Sequence, residues 1–166
     1  MLSSDVREIE QPEKHLVGFS IRGSLNEIIE KKLGNMLRDK LVARASEISN
    51  RMDDGMYLVQ IYDPVRWTPD TPFTQVFGKE VDRVAGLPEG MIAHTIPAGT
   101  YLRFMHLGPM NGIGATYDAM RAWLAEHQRG GPCPYDFEYW RDVSKLEEQD
   151  TEISIHLPVR KGGAAA

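Results

Sequence analysis

The sequence has little of what several classes of protein require. Its single cysteine, Cys133, excludes an intrachain disulfide and a thiolate-rich metal site. No apolar run approaches the ~20 residues of a membrane-spanning helix. The N-terminal segment 1–10 is acidic and has too few apolar residues for a signal peptide. We therefore expect a cytoplasmic protein that makes no contact with a membrane.

Positive charge is also too sparse for a nucleic-acid surface. The 166 residues include 19 Lys and Arg against 24 Asp and Glu, for a net charge of −5. The densest basic stretch, 31–44, alternates with acidic residues, as on a solvated helix face. Because duplex binding needs clustered cations, we expect no direct contact with nucleic acid. The histidines are scattered without metal-ligand spacing, so the sequence predicts no metal site and no cofactor.

Strand and helix patterns alternate along the chain. The segment 6–23 predicts two strands around a turn at Pro12, and in the second of them Val17, Phe19 and Ile21 alternate with small or polar residues, as in a half-buried strand. Ser24 and Glu27 have the spacing of a capping box, and the apolar spacing that follows predicts one helix to about residue 48. A second helix is predicted at 111–127, and further strands at 56–62, 73–84, 91–96, 100–107, 135–142 and 152–159.

The two halves of the chain share a pattern. Val17-x-Phe19-x-Ile21-x-Gly23 is similar to Leu102-x-Phe104-x-His106-x-Gly108, and each is followed by a helix and two strands. This predicts an α+β fold of duplicated strand–helix–strand–strand units, with two helices over one face of an antiparallel sheet. The predicted organisation is a single domain at 1–160, with pseudo-repeats at about 5–96 and 97–160, and a flexible tail at 161–166.

Glu138 is the strongest candidate for a functional residue. It lies in the aromatic strand Tyr135–Trp140, on the face that also carries Asp136 and Trp140. A carboxylate in an apolar setting is costly unless it is paired or protonated. Glu138 could therefore attract a cation between aromatic walls, or act as a general acid or base. From spacing alone, an exposed Glu138 paired with a nearby arginine is an equal alternative.

Other residues could line the same site. His106 takes the position of Ile21 in the first half and therefore points to the apolar face. It is either a core histidine bonded to the backbone or a pocket wall that contacts a ligand. The aromatic residues that either line a pocket or fill the core are Tyr62, Trp67, Tyr101 and Tyr117.

Several stretches carry a family resemblance. They are Ile96–Tyr101, Phe104-x-His106-x-Gly108-Pro109, Thr116–Leu124, Phe137–Trp140 and Ile153–Val159. Together they resemble the GyrI-like family, whose members form the effector-binding half of MerR-type and AraC-type multidrug-responsive transcription regulators. The resemblance covers nearly the whole chain, although the first half matches mainly in its layout.

The resemblance implies a duplicated, SHS2-like fold with a ligand pocket between the helices. Ligands in the family are often lipophilic cations, held between aromatic walls above a buried Glu that matches Glu138. Trp140 matches a pocket-wall position. We therefore expect a cationic or amphipathic small molecule to contact Glu138, Trp140, His106, Tyr62, Trp67, Tyr101 and Phe104.

Three functions remain open at this point. The sequence has no helix-turn-helix pattern, which predicts a stand-alone binding protein rather than a complete DNA-binding regulator. Stand-alone members of the family include a gyrase-inhibiting protein and hydrolases that open cyclopropane rings. The alternatives to a binding protein are therefore a hydrolase with Glu138 as its catalytic residue, and a module with a protein partner such as gyrase or a regulator.

Overall fold

The fold is built on one antiparallel sheet of eight strands. The computed structural model describes residues 1–159, and the predicted tail 161–166 lies outside the described residues. The strands are β1 (Arg7–Gln11), β2 (Lys14–Gly23), β3 (Met56–Ile61), β4 (Phe73–Val81), β5 (Ile92–Ile96), β6 (Gly99–Leu107), β7 (Tyr135–Trp140) and β8 (Glu152–Pro158). The helices are α1 (Leu25–Glu30), α2 (Leu33–Arg44) and α3 (Ile113–Glu126). The predicted α+β class is confirmed. Each helix that the structure describes is too short or too polar to cross a membrane.

The order of the strands is symmetric about the centre of the sheet. It runs β1-β6-β8-β7-β3-β4-β2-β5, with every neighbouring pair antiparallel. Reading from the two ends, β1 corresponds to β5, β6 to β2, β8 to β4 and β7 to β3. The order is thus compatible with a duplication, which stays a prediction. In this symmetry β5 takes the place of β1, whereas the sequence pattern assigned 91–96 to the first repeat.

The sheet is strongly curled and has two differently covered faces. Five strands separate β5 from β6, yet only Pro97 and Ala98 connect them, so the sheet must bend back on itself. Helices α2 and α3 pack on the outer face, where the main core includes Leu41, Met120 and Trp140. The concave face has an apolar cluster of its own, made of Leu16, Tyr57, Val59, Val76, Ile96, Tyr101 and Phe137.

The first predicted helix is in fact two helices. Ser24 caps α1 as expected, since the backbone N–H of Glu27 donates to its Oγ at 3.1 Å. The chain then turns at Lys32, whose φ of 54° is left-handed and ends the helical run. The apolar spacing continues across this break, but Ile29 and Met36 are 64% and 62% exposed. They therefore do not belong to the buried face that the spacing predicted.

Two neighbouring strands, β2 and β4, approach each other closely at a pair of glycines. Gly18 of β2 lies directly opposite Gly78 of β4. A Cβ on Gly18 would lie 1.8 Å from the carbonyl oxygen of Phe77, so a side chain there requires the strands to separate. The contact keeps β4 close to β2, and in the main core Phe77 of β4 packs against Trp140, with ring centroids 5.9 Å apart.

Candidate functional site

Glu138 is buried near the centre of the sheet, on the face covered by the helices. It is 3% exposed and lies between Leu58 of β3 and Ile155 of β8. The hydroxyl of Tyr117, on α3, donates to its Oε2 at 2.6 Å. The indole N–H of Trp140 donates to its Oε1 at 2.9 Å. Both carboxylate oxygens are therefore held by neutral donors, and Trp140 shares the site with Glu138 as the alternation of β7 predicts.

Asp136 is a second buried carboxylate on the same face of β7. The side-chain amide of Gln60 donates to its Oδ1 at 2.9 Å, and the hydroxyl of Tyr62 donates to its Oδ2 at 2.8 Å. The same amide of Gln60 also donates to the Tyr117 hydroxyl oxygen at 3.1 Å. One hydrogen-bond network therefore connects Asp136 to Glu138.

Burial shifts the protonation of both carboxylates. It raises the pKa of Asp136 to about 7, against the lowering effect of the hydrogen bonds from Tyr62 and Gln60, and the nearby Glu138 charge adds to the rise. Burial also raises the pKa of Glu138, although the hydrogen bonds from Tyr117 and Trp140 oppose it. A neutral, protonated form is therefore favoured at a higher pH than for an exposed carboxyl.

The carboxylate pair of Glu138 and Asp136 has no internal counterion. Within residues 1–159, no Lys, Arg or His side chain and no terminal amine lies within 4.0 Å of either group. A buried carboxylate without a cation is costly in its ionised form. The arrangement therefore favours the approach of a positive charge from outside the chain.

Aromatic rings lie beside the Asp136 end of the pair. Tyr62, which donates to Asp136, stacks on Phe73 with centroids 5.6 Å apart. Trp67 meets both rings edge-on, at 6.3 Å from Tyr62 and 6.2 Å from Phe73. Trp67 comes from the proline-rich loop 64–72 and is partly buried. The structure therefore brings Tyr62 and Trp67 together at the pair.

Phe104 and His106 lie on the same sheet face but farther from the pair. Phe104 is separated from Glu138 by Ile155 of the intervening strand β8. His106 is fully buried, with Nδ1 2.5 Å from the Thr116 hydroxyl and Nε2 2.9 Å from the carbonyl oxygen of Pro109. Both ring nitrogens are thus occupied, which favours the interpretation of His106 as a core histidine bonded to the backbone.

Tyr101 lies on the other side of the sheet. Its ring packs against Phe137 at 5.4 Å in the cluster on the concave face, and its hydroxyl donates to the carbonyl oxygen of Pro97 at 2.6 Å. The sheet itself separates Tyr101 from Glu138. The structure therefore does not bring Tyr101 to the carboxylate pair, and we leave it out of the site.

Three members of the hydrogen-bond network, Asp136, Gln60 and Tyr117, were not among the residues predicted to contact the ligand. Alternation along β7 already placed Asp136 with Glu138, and a polar Gln60 in an otherwise apolar strand was a usable signal. Tyr117 was noted only as a pocket or core residue. Its contact with Glu138 depends on how α3 crosses the sheet, which no local pattern reveals.

The carboxylate pair is closed in this structure. Glu138 and Trp140 are 3% and 2% exposed, and Asp136 is 8% exposed. Two cavities at the surface lie elsewhere, one on the concave face and one between α2 and segment 143–147. A ligand that contacts Glu138 must therefore displace the hydroxyl of Tyr117 or the indole of Trp140.

The fold is a curled eight-stranded antiparallel sheet with a buried carboxylate pair on the face that the helices cover. The family model described as the GyrI-like small molecule binding domain matches residues 4–160 of the chain. The chain therefore belongs to the GyrI-like family, which confirms the resemblance in the sequence.

Similar proteins include transcription regulators. The chain is 26% identical to the transcriptional regulator BrlR of Pseudomonas aeruginosa over 155 residues, which are 92% of this chain and 54% of BrlR. It is similar in fold to SAV2435 bound to tetraphenylphosphonium, with a TM-score of 0.73 and 13% identity over 94% of each chain. It is also similar to EcmrR in a DNA complex, with a TM-score of 0.65 and 15% identity over 93% of this chain and 56% of that one. The chain thus spans about half the length of the curated relative that it matches.

Proposed function

We propose that this domain binds lipophilic cationic small molecules at the carboxylate pair of Glu138 and Asp136. The observation that carries the proposal is a buried pair of carboxylates without a cationic partner in the described chain. A large cation with delocalised charge is weakly hydrated, so it loses little on entering an apolar site. The carboxylate then gains a counterion, and neighbouring aromatic rings add cation–π attraction.

The roles of the individual residues follow from their positions. Glu138 supplies the charge, and Trp140 supplies both a wall and a hydrogen bond that the ligand competes with. Tyr62 and Trp67 form the wall beside Asp136. Phe104 bounds the site across β8, while His106 supports β6 from the core.

Two comparisons support this proposal. The family is described as small-molecule-binding, and the similar protein SAV2435 holds tetraphenylphosphonium, a lipophilic cation. BrlR is a transcriptional regulator about twice as long as the matched segment. We infer that ligand binding to this domain controls a transcription regulator, which is part of the same chain or a protein partner.

Ligand binding should be linked to deprotonation of the pair. A cation binds the ionised carboxylates, whereas burial raises the pKa of Asp136 to about 7 and also raises that of Glu138. Protonation therefore competes with the ligand at low pH. The affinity for a permanent cation should rise as the pH increases from about 5 to 8.

The experiment is a thermal-shift series with tetraphenylphosphonium and the neutral triphenylphosphine oxide. A ligand that binds the folded state raises the melting temperature. We expect tetraphenylphosphonium to stabilise the wild type, and Glu138→Gln to weaken binding by about 1.5–3 kcal/mol, the contribution of a hydrogen-bonded charge. Equal shifts for wild type and Glu138→Gln would refute the proposal.

Glu80→Gln is the matched control variant. Its side chain is 12% exposed, but it lies 3.7 Å from Lys14 and belongs to the concave side of the sheet. Its ligand-induced shift should equal that of the wild type. The same samples also test for a hydrolase: turnover of a reactive cyclopropane by the wild type but not by Glu138→Gln would assign catalysis to the site instead.

A further inference from the structure

The concave face of the curled sheet contains a cavity of about 200 Å³. Side chains from six strands line it: β1, β6, β8, β7 and β3 are successive neighbours in the sheet, and the bend of the sheet brings β2 near them from its other end. The cavity lies behind the sheet from Glu138, so it is separate from the carboxylate pair. Its lining includes two cations, Lys14 and Arg103, and no carboxylate from the described chain.

The two cations keep part of their hydrogen-bonding capacity. Lys14 lies 3.7 Å from Glu80, at the long end of ion-pair distances. Arg103 uses Nη2 to contact Asp5 at 3.3 Å, and the Asp5 side chain is 44% exposed. The Nε–H of Arg103 is buried, with no acceptor among residues 1–159. A buried donor without an acceptor costs free energy that a bound anion would recover.

A polar relay leads from the rim into the same cavity. Gln11 donates its amide N–H to Nδ1 of His156 at 3.1 Å, which leaves the Nε2–H of His156 to donate to Oγ of Ser154 at 3.0 Å. Burial lowers the pKa of His156 to about 3, and the charges of Arg103 and Lys14 add to the effect, so the ring is neutral near pH 7. Ser154 then receives a hydrogen bond and has its own O–H available for a ligand.

The apolar part of the lining consists of Ile9, Met105 and three aromatic rings. Tyr57 and Tyr139 lie side by side, with ring centroids 4.8 Å apart, and Phe137 lies 6.0 Å from Tyr57. A volume of about 200 Å³ is below the roughly 300–1,000 Å³ of sites for drug-sized ligands. The space therefore suits a molecule of one ring and one acidic group better than a bulky cation.

We propose that this cavity is a second binding site, selective for a small aromatic carboxylate. The carboxylate lies against Arg103 and Lys14 and accepts a hydrogen bond from the Ser154 hydroxyl. The ring packs against Tyr57 and Tyr139. The domain thus has two sites with opposite charge preference, one on each face of the sheet.

The test is isothermal titration of the full chain with benzoate and with its neutral counterpart benzamide. We expect benzoate to bind saturably to the wild type and benzamide to bind at least about tenfold more weakly, since it has no charge to pair with Arg103. Arg103→Gln should reduce the affinity for benzoate by roughly tenfold to a hundredfold. Ser154→Ala, which leaves Arg103 in place, should give a smaller loss.

Arg129→Gln is the matched control. Arg129 is 25% exposed against 26% for Arg103, contacts one carboxylate, that of Glu8, and also has a buried Nε without an acceptor in the described chain. It does not line the cavity. The benzoate affinities of Arg129→Gln and of Glu138→Gln should equal that of the wild type. The proposal is overturned by no saturable benzoate binding, by benzamide binding equally well, or by equal losses in Arg103→Gln and Arg129→Gln.

Discussion

Replacing Asp136 by Asn should remove a pH-dependent loss of stability. The pKa of Asp136 is about 7 in the folded chain, against 3.8 for an ordinary aspartate. Between these values the folded state binds more protons than the unfolded state, so the free energy of unfolding falls as the pH rises from about 4 to 7. The difference between the two pKa values corresponds to a loss of at most about 4 kcal/mol in the free energy of unfolding at pH 8.

Asparagine can reproduce the hydrogen bonds of the protonated carboxyl. Its carbonyl oxygen accepts from Gln60, and its amide N–H donates to the hydroxyl oxygen of Tyr62, in place of the bonds that Asp136 makes now. Asp136→Asn therefore holds the neutral form at every pH. We expect it to be more stable than the wild type at pH 8 and closer to the wild type at pH 5.

The assay is urea unfolding of wild type and Asp136→Asn at pH 5, 6, 7 and 8. Asp118→Asn is the control, because the Asp118 side chain, on the same helix as Tyr117, is 74% exposed. This variant should show the same change in unfolding free energy with pH as the wild type. A raised pKa of Asp136 is contradicted if the unfolding free energy of Asp136→Asn falls with pH as steeply as that of the wild type, or if Asp136→Asn is less stable than the wild type at pH 8.

Two further predictions concern Tyr117, which closes the carboxylate pair, and Gly18, where two strands approach closely. Tyr117→Phe removes the donor 2.6 Å from Glu138 and should lower the free energy of unfolding at pH 8 by about 1.5–3 kcal/mol. It should also raise the affinity for tetraphenylphosphonium in calorimetry, since the ligand no longer displaces a hydroxyl; a lower affinity would contradict the competing role of Tyr117. Gly18→Ala places a Cβ against Phe77 and should cost about 3 kcal/mol or more in denaturant unfolding. Gly114→Ala, on α3 with open space around it, is the control and should be neutral or stabilising. Similar effects of the two variants would contradict a steric limit at Gly18.

Local patterns predicted the elements of the sheet because each strand carries its own signal. Alternation of residues along β7 correctly put Glu138 and Trp140 on one face, and the indole of Trp140 does reach the carboxylate. The predicted ligand site nevertheless included both Tyr101 and Phe104, although alternation along β6 puts these two residues on opposite faces of the sheet. Strand parity was the available signal, and the structure follows it.

The closure of the site could not be predicted from local patterns. The hydroxyl of Tyr117 meets Glu138 only because α3 packs on the same face of the sheet, a contact between residues 21 positions apart. The break at Lys32 was equally hidden, since the apolar spacing continues through it and no proline marks the turn. Both features depend on tertiary packing, which outweighs local propensity.

A structure of the domain with tetraphenylphosphonium tests the central claim most directly. We expect the phosphonium beside Glu138, between Trp140 and the aromatic wall of Tyr62 and Trp67, with at least one of the two hydrogen bonds to the Glu138 carboxylate broken. The account is contradicted if the cation lies away from Glu138 while Tyr117 and Trp140 both keep their hydrogen bonds to it.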